Sequence, residues 1–177
     1  MKRIIRATLL ALPLALATLA PPASASLERG VSAPRFTTTA ALAGRTFNFD
    51  LTAKLRQGPV VLYFFPRAFT QGCTLEARAF AEAMPQFTAA GASVLGMSAD
   101  DIATLQRFST EECRDAFPVG RATPDIVREY DVALGNSGVT SRTSYVIAQD
   151  GRVTMVHSDM DWREHVNMTL AAVRALR

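Results

Sequence analysis

Two cysteines, Cys73 and Cys113, are the only thiols in this 177-residue chain. One of them lies where a thiol is readily turned into a nucleophile. The run Val60-Val61-Leu62-Tyr63-Phe64-Phe65 is apolar throughout and rich in β-branched and aromatic types, the pattern of a strand buried on both faces. Pro66 and Gly72 bracket a short loop, and a helical pattern begins at about Cys73. A helix start offers unpaired N–H groups and the positive end of a dipole, and both favour an anion. For cysteine that anion is the thiolate, the reactive form. The bland alternative is a structural cysteine, since free cysteines are often simply buried.

Thr70 stands three residues before Cys73, where a disulfide exchanger of the Cys-x-x-Cys type has its first cysteine. A hydroxyl cannot form a mixed disulfide, but it can donate or accept a hydrogen bond. The pattern Pro66-x-x-x-Thr70-x-x-Cys73 resembles the active-site signature of the peroxiredoxins. The surrounding residues are similar to the bacterioferritin-comigratory (peroxiredoxin Q) branch of the alkyl hydroperoxide reductase/thiol-specific antioxidant family. Ala33-Pro34-x-Phe36 resembles the start of such a domain, so the resemblance covers about residues 30–176.

The resemblance implies a thiol-dependent peroxidase that reduces hydrogen peroxide and small organic hydroperoxides. Cys73 would be the peroxidatic nucleophile and pass through a sulfenic acid. Thr70 would turn its hydroxyl toward the sulfur, and Pro66 would shield the thiolate from water. The family's fixed positive charge, an arginine just before a late strand, matches Arg142 in Thr140-Ser141-Arg142-Thr143-Ser144-Tyr145-Val146-Ile147. An always-charged planar donor suits that role better than lysine. The alternative for Arg142 is an ordinary solvated arginine, and Arg67 is a weaker second source of charge. Many relatives resolve the sulfenic acid with a cysteine five residues on, a position held here by Arg78. Others in this branch place it in the following helix, which points to Cys113. A permanent bridge between the two cysteines, or an external thiol that leaves Cys113 a bystander, are the other readings.

The expected partners are a small hydroperoxide and a thioredoxin-like or other thiol reductant, with the protein a monomer or weak dimer. A thioredoxin-like disulfide oxidoreductase and a non-catalytic binding module on the same scaffold are the competing readings. Nothing calls for a cofactor or a metal: His157 and His165 have no third ligand at metal spacing and read as surface or cap residues.

The elements that must position these residues follow from pattern. Residues 1–25 read as a cleaved signal peptide, with Lys2, Arg3 and Arg6, an apolar run from Ala7 to Ala20, and an Ala23-Ser24-Ala25 cleavage site. The run is too short for the ~20 residues that span a bilayer, so an exported, periplasmic protein is expected. That segment holds three of the nineteen basic residues and none of the acidic ones, leaving sixteen of each. In a balanced mature chain, residues 26–177, nothing suggests a nucleic-acid partner, which needs a concentrated basic face, and the chain is long enough for one domain.

Within it, Phe47 and Phe49 alternate on one strand face, and Asp50 caps a helix over residues 51–56. From Cys73 a helix runs with Leu75, Ala79, Phe80, Ala83 and Phe87 inward and Glu76 mostly off that face. Pro85 bends or ends it. A strand at 93–97 follows, then a helix capped by Asp100 or Asp101, with Ile102, Leu105 and Phe108 inward and Cys113 near its end. Thr123-Pro124-Asp125 starts another helix. Asp150-Gly151 joins two strands in a hairpin. The last helix, about 161–176, turns Val166, Leu170, Val173 and Leu176 inward, with Trp162 a core anchor. Strands alternating with helices force parallel neighbours and the hairpin adds antiparallel ones. The expected fold is α/β and thioredoxin-like, a mixed central sheet with helices on both faces.

Overall fold

The computed structural model describes residues 26–177, so the signal-peptide reading of residues 1–25 lies outside the described residues. Seven strands form one mixed sheet: β1 (Thr37–Leu42), β2 (Arg45–Asp50), β3 (Val60–Phe64), β4 (Ser93–Ser98), β5 (Val119–Arg121), β6 (Thr143–Ile147) and β7 (Val153–Ser158). Their order across the sheet is β2-β1-β5-β4-β3-β6-β7. Strand β3 lies near the middle, parallel to β4 and antiparallel to β6, and all five of its residues are buried.

Because side chains alternate along a strand, β3 feeds two cores. Val61, Tyr63 and the following Phe65 face α2 (Gln71–Ala89), α3 (Ile102–Glu111) and α5 (His165–Arg174). Val60, Leu62 and Phe64 face α1 (Leu51–Leu55) and α4 (Pro124–Glu129). This is the thioredoxin-like arrangement with both faces covered.

The caps follow the sequence. Asp50 accepts from Ala53 N at 3.0 Å, Asp101 from Thr104 N at 2.8 Å and Thr123 from Ile126 N at 3.4 Å. Asp100 does not cap. It accepts from Ala68 N and from the Ser98 hydroxyl, each at 2.7 Å, and so pins the loop after β3 to the end of β4.

Several expectations are corrected. Strand β5, three residues long, has no sequence signal of its own and forms by pairing with β1 and β4. Helix α2 runs through Pro85 to Ala89, since a single missing hydrogen bond is offset by packing of Phe80, Ala83 and Phe87. Its inward stripe is Cys73, Glu76, Ala77, Phe80, Ala83 and Phe87; Leu75 is exposed. Phe47 and Leu176 are likewise exposed, and Trp162 is only half-buried, in a 3₁₀ turn (Trp162–Glu164) ahead of α5.

Tyr63 is fully buried and closely packed. Its ring stacks on Phe80 at 4.2 Å between centroids, and its phenol lies over Gly96. A Cβ at Gly96 would come within 2.8 Å of the Tyr63 Cζ and hydroxyl oxygen. Gly96→Ala is therefore expected to destabilise the protein by about 1–3 kcal/mol, the usual range for overpacking a filled core. Urea unfolding of wild type and variant measures this, and equal midpoints would contradict it.

Candidate active site

The loop Pro66–Thr70 carries the chain from β3 to α2. Phe69 sits in left-handed backbone at φ 64°, a conformation that costs a non-glycine residue of order 1 kcal/mol. Its ring offsets this through an edge contact with Phe108 at 5.2 Å and an Arg107 guanidinium at 4.9 Å. Together with the Ala68–Asp100 bond, this fixes where α2 begins.

Helix α2 starts at Gln71 with Thr70 as its N-cap, so Cys73 falls in the first turn. The thiol is 2 % exposed, which admits only a small reactant from solvent. Arg142, the residue before β6, reaches across the sheet to it: Nη2 lies 3.5 Å from Cys73 Sγ. The guanidinium is 5 % exposed and is held at its other corners. Nε donates to Met160 O at 3.0 Å, and Nη1 donates to Glu76 Oε2. Gly72 leaves room for this, since a Cβ there would stand 3.2 Å from Arg142 Nη2. The segment ahead of Arg142 is tied to the end of β3 by the buried Thr140 hydroxyl, which donates to Phe65 O at 2.7 Å.

The structure thus brings Cys73 and Arg142 together and buries the arginine. Arg67 is exposed, as its loop position suggests, and Pro66 is half-buried beside it. Thr70 departs from expectation: it is exposed, and its hydroxyl donates to Arg67 O at 2.9 Å rather than turning to the sulfur. Cys113 lies just past the end of α3, completely buried in the same apolar cluster as Cys73. Both cysteines are free thiols. Burial, and then the nearby Glu112 and Asp115 carboxylates, push the Cys113 thiol well up.

Glu76 departs from its expected place off the core face and is fully buried. Its spacing from Cys73, three residues along one helix, is the signal that places it there. His165, expected at the surface or in a cap, is also fully buried. The i, i+4, i+8 stripe of His165, Thr169 and Val173 carries that information. Desolvation pushes the His165 ring down to about 4. Desolvation pushes Glu76 up to about 8, against the opposing pull of Arg142.

A buried thiol on the first turn of a helix, held by a buried guanidinium on a thioredoxin-like sheet, is the arrangement of a cysteine-based redox protein. Residues 30–156 match the model of the AhpC/TSA family, and the chain belongs to that family. It is 30 % identical to chloroplastic peroxiredoxin Q of Oryza sativa subsp. japonica over 152 residues, 85 % of this chain and 68 % of that protein. Peroxidoxin BcpB of Mycobacterium tuberculosis superposes with a TM-score of 0.77 at 30 % identity, covering 85 % of this chain and 99 % of that one. A bacterioferritin comigratory protein of Xanthomonas campestris, studied for its alkyl peroxide reduction activity, superposes at 0.68 with 27 % identity, over 77 % and 90 % of the two chains.

The Glu76 proton gives a test of this electrostatic picture. The folded protein holds the proton more tightly than the unfolded chain does. The group's contribution to stability is therefore full below the unfolded carboxylate range and is lost as pH rises through about 8. Glu76→Gln stays neutral throughout. Between pH 5 and pH 8.5, wild type should lose on the order of a few kcal/mol relative to this variant in urea unfolding. Parallel profiles for the two proteins would contradict the raised carboxyl.

Proposed function

We propose that this protein is a thiol-dependent peroxidase that reduces hydrogen peroxide and small organic hydroperoxides at Cys73. The observation that carries the reading is the Arg142 guanidinium on the Cys73 sulfur at the opening turn of α2. The Cys73 thiolate attacks one peroxide oxygen; the S–O bond forms as the O–O bond breaks. The sulfur is left as a sulfenic acid, and the departing oxygen takes a proton to become water or an alcohol. Arg142 stabilises the thiolate before the attack and the negative charge that develops on the departing oxygen during it. Thr70 and Pro66 line the loop at this turn. Rotation of the exposed Thr70 hydroxyl away from Arg67 O would let it meet the peroxide.

Cys113 completes the cycle in this reading. Its thiol condenses with the sulfenic acid, releasing water and leaving a Cys73–Cys113 disulfide, which a thioredoxin-like donor reduces by exchange. A disulfide needs Cα atoms ~4.4–6.8 Å apart, so the first turn of α2 and the segment after α3 both move. That segment supports the idea, because Arg114 and Asp115 are consecutive left-handed residues, at φ 52° and 58°. Such backbone is strained and readily given up. The features of residues 1–25 support export to the periplasm, where an extracytoplasmic thiol donor would serve.

Peroxide consumption with a thiol donor, followed by mass spectrometry of both cysteines, tests the proposal. Wild type is expected to consume peroxide and, after one equivalent, to carry an intramolecular disulfide. Cys73→Ser should lose the activity, and Cys113→Ser should stop at the sulfenic acid and over-oxidise. Activity surviving in Cys73→Ser would overturn the nucleophile. A freely alkylated Cys113 in oxidised wild type would leave a single-cysteine enzyme resolved by an external thiol.

A further inference from the structure

Cys113 is completely buried, yet the residues on either side of it are charged and reach across to α2. Glu112 is the C-cap of α3, and its side chain is only 13 % exposed. The Arg78 guanidinium converges on it: Nε donates to Glu112 Oε2 at 2.7 Å, and Nη2 stands 2.7 Å from the same oxygen. On the other side of the cysteine, Arg114 Nη1 donates to Glu82 Oε1 at 3.3 Å. Arg78 and Glu82 are four residues apart on α2 and so share one face of it. The signs cross, with cation to anion at one step and anion to cation at the next, which fixes the register of the segment along α2.

The two pairs differ in weight. Both side chains of the Glu82–Arg114 pair are more than half exposed, and such a pair contributes little. Glu112 has given up most of its water, so its carboxylate depends on Arg78. The backbone of the segment runs its own hydrogen bonds to α3, from Cys113 N to Phe108 O and from Asp115 N to Ser109 O, each at 3.0 Å. Its polar ties to α2, among the described residues, are the two ion pairs. Opposing them is the strain of Arg114 and Asp115, both in left-handed backbone, which is relieved when the segment is released.

We propose that Arg78 and Glu112 are positioning residues for Cys113: their ion pair latches the segment that carries this thiol onto α2, and the thiol leaves the core for Cys73 only when the latch opens. The role rests on the reading of Cys113 as the resolving thiol. Along the helix axis Arg78 lies ~7.5 Å and Glu82 ~13.5 Å from Cys73, so the closed pairs hold the segment beside the second and third turns of α2. A disulfide with Cys73 needs Cα atoms ~4.4–6.8 Å apart, at the first turn. The segment must therefore slide toward the start of α2. The exposed Glu82 pair gives way at little cost, and the Arg78 pair sets the resistance. Once it opens, the Cys113 thiol condenses with the Cys73 sulfenic acid: the S–S bond forms, the S–O bond breaks, and the hydroxyl leaves with the thiol proton as water.

The test follows both thiols of the reduced, folded protein as N-ethylmaleimide labels them, resolved by peptide mass spectrometry. Each rate is divided by that of the same variant unfolded in urea, which removes the intrinsic reactivity of the thiol. Buried Cys113 is labelled only when its segment opens. Arg78→Met, which keeps the apolar stem, should raise Cys113 labelling about threefold or more, toward the upper end of what a part-exposed ion pair holds, and leave Cys73 labelling unchanged. Glu112→Ala should do the same, and adding Arg78→Met to it should change nothing further. After one equivalent of hydrogen peroxide, the Cys73–Cys113 disulfide should form faster in the variants by a similar factor. Unchanged labelling of Cys113, an equal rise at both cysteines, effects that multiply in the double variant, or a disulfide rate that does not move would each overturn the inference. Labelling needs no peroxide, so a wild type that formed no disulfide would fail the resolving step of the proposed function while the labelling rates still decide whether the latch exists.

Discussion

The structure depends on one buried guanidinium. Arg142 donates to a cysteine sulfur, the Glu76 carboxyl and a backbone carbonyl from a site 5 % open to solvent, and it draws these partners from α2 and from the loop after β7. Burying a cation is costly unless its donors are all met by well-placed acceptors. Here Glu76 supplies one acceptor, Met160 O another and the Cys73 sulfur a third. Removing Glu76 alone would leave a buried guanidinium N–H without its acceptor. Removing Arg142 would leave a buried acid beside a thiol with no cation. The cluster is therefore an element of the fold and, in the proposed reaction, also the source of reactivity.

The scaffold serves this cluster by fixing the ends of β3 and β6, neighbouring antiparallel strands whose Phe64 and Thr143 are paired. One strand leads out through the pinned loop to the thiol, and the other is entered through the arginine. Thr140, Asp100 and the Phe69–Phe108 contact hold the connecting segments, so the Cys73–Arg142 geometry is set by strand register rather than by loop packing alone. Small residues matter where the cluster is most crowded. Gly72 clears the guanidinium, and Gly96 clears the Tyr63 ring in the same core cluster as Cys73.

Much of this was legible in the residues. The six-residue apolar run and the loop brackets after it point to β3 and the start of α2, and the arginine that the resemblance singles out lies 3.5 Å from the Cys73 sulfur. The caps at Asp50, Asp101 and Thr123 were readable because their chemistry is local. What escaped was polar and buried. A glutamate on a helix reads as solvent-facing, and only the cation from the start of β6, sixty-six residues away, makes Glu76 tolerable inside. His165 escaped for the same reason, since its partners Ser144 and Asp159 O belong to another strand and a loop. Strand β5 is legible only through its neighbours. The Thr70 hydroxyl was assigned to the sulfur by resemblance, and here its own loop carbonyl competes for it at shorter range.

In the proposed reaction Arg142 acts as a shaped donor on the reacting sulfur and the departing oxygen, not merely as a nearby charge. Lysine keeps the charge but loses the planar fork that meets Cys73 and Glu76 together. The most direct measurement is stopped-flow oxidation of Cys73 by hydrogen peroxide in wild type and Arg142→Lys, set against alkylation of the same thiol by iodoacetamide, which has no O–O bond to break. The peroxide rate is expected to fall on the order of 100-fold, as when one preorganised donor is lost, and alkylation far less. An equal fall in both reactions, or an unchanged peroxide rate, would contradict it.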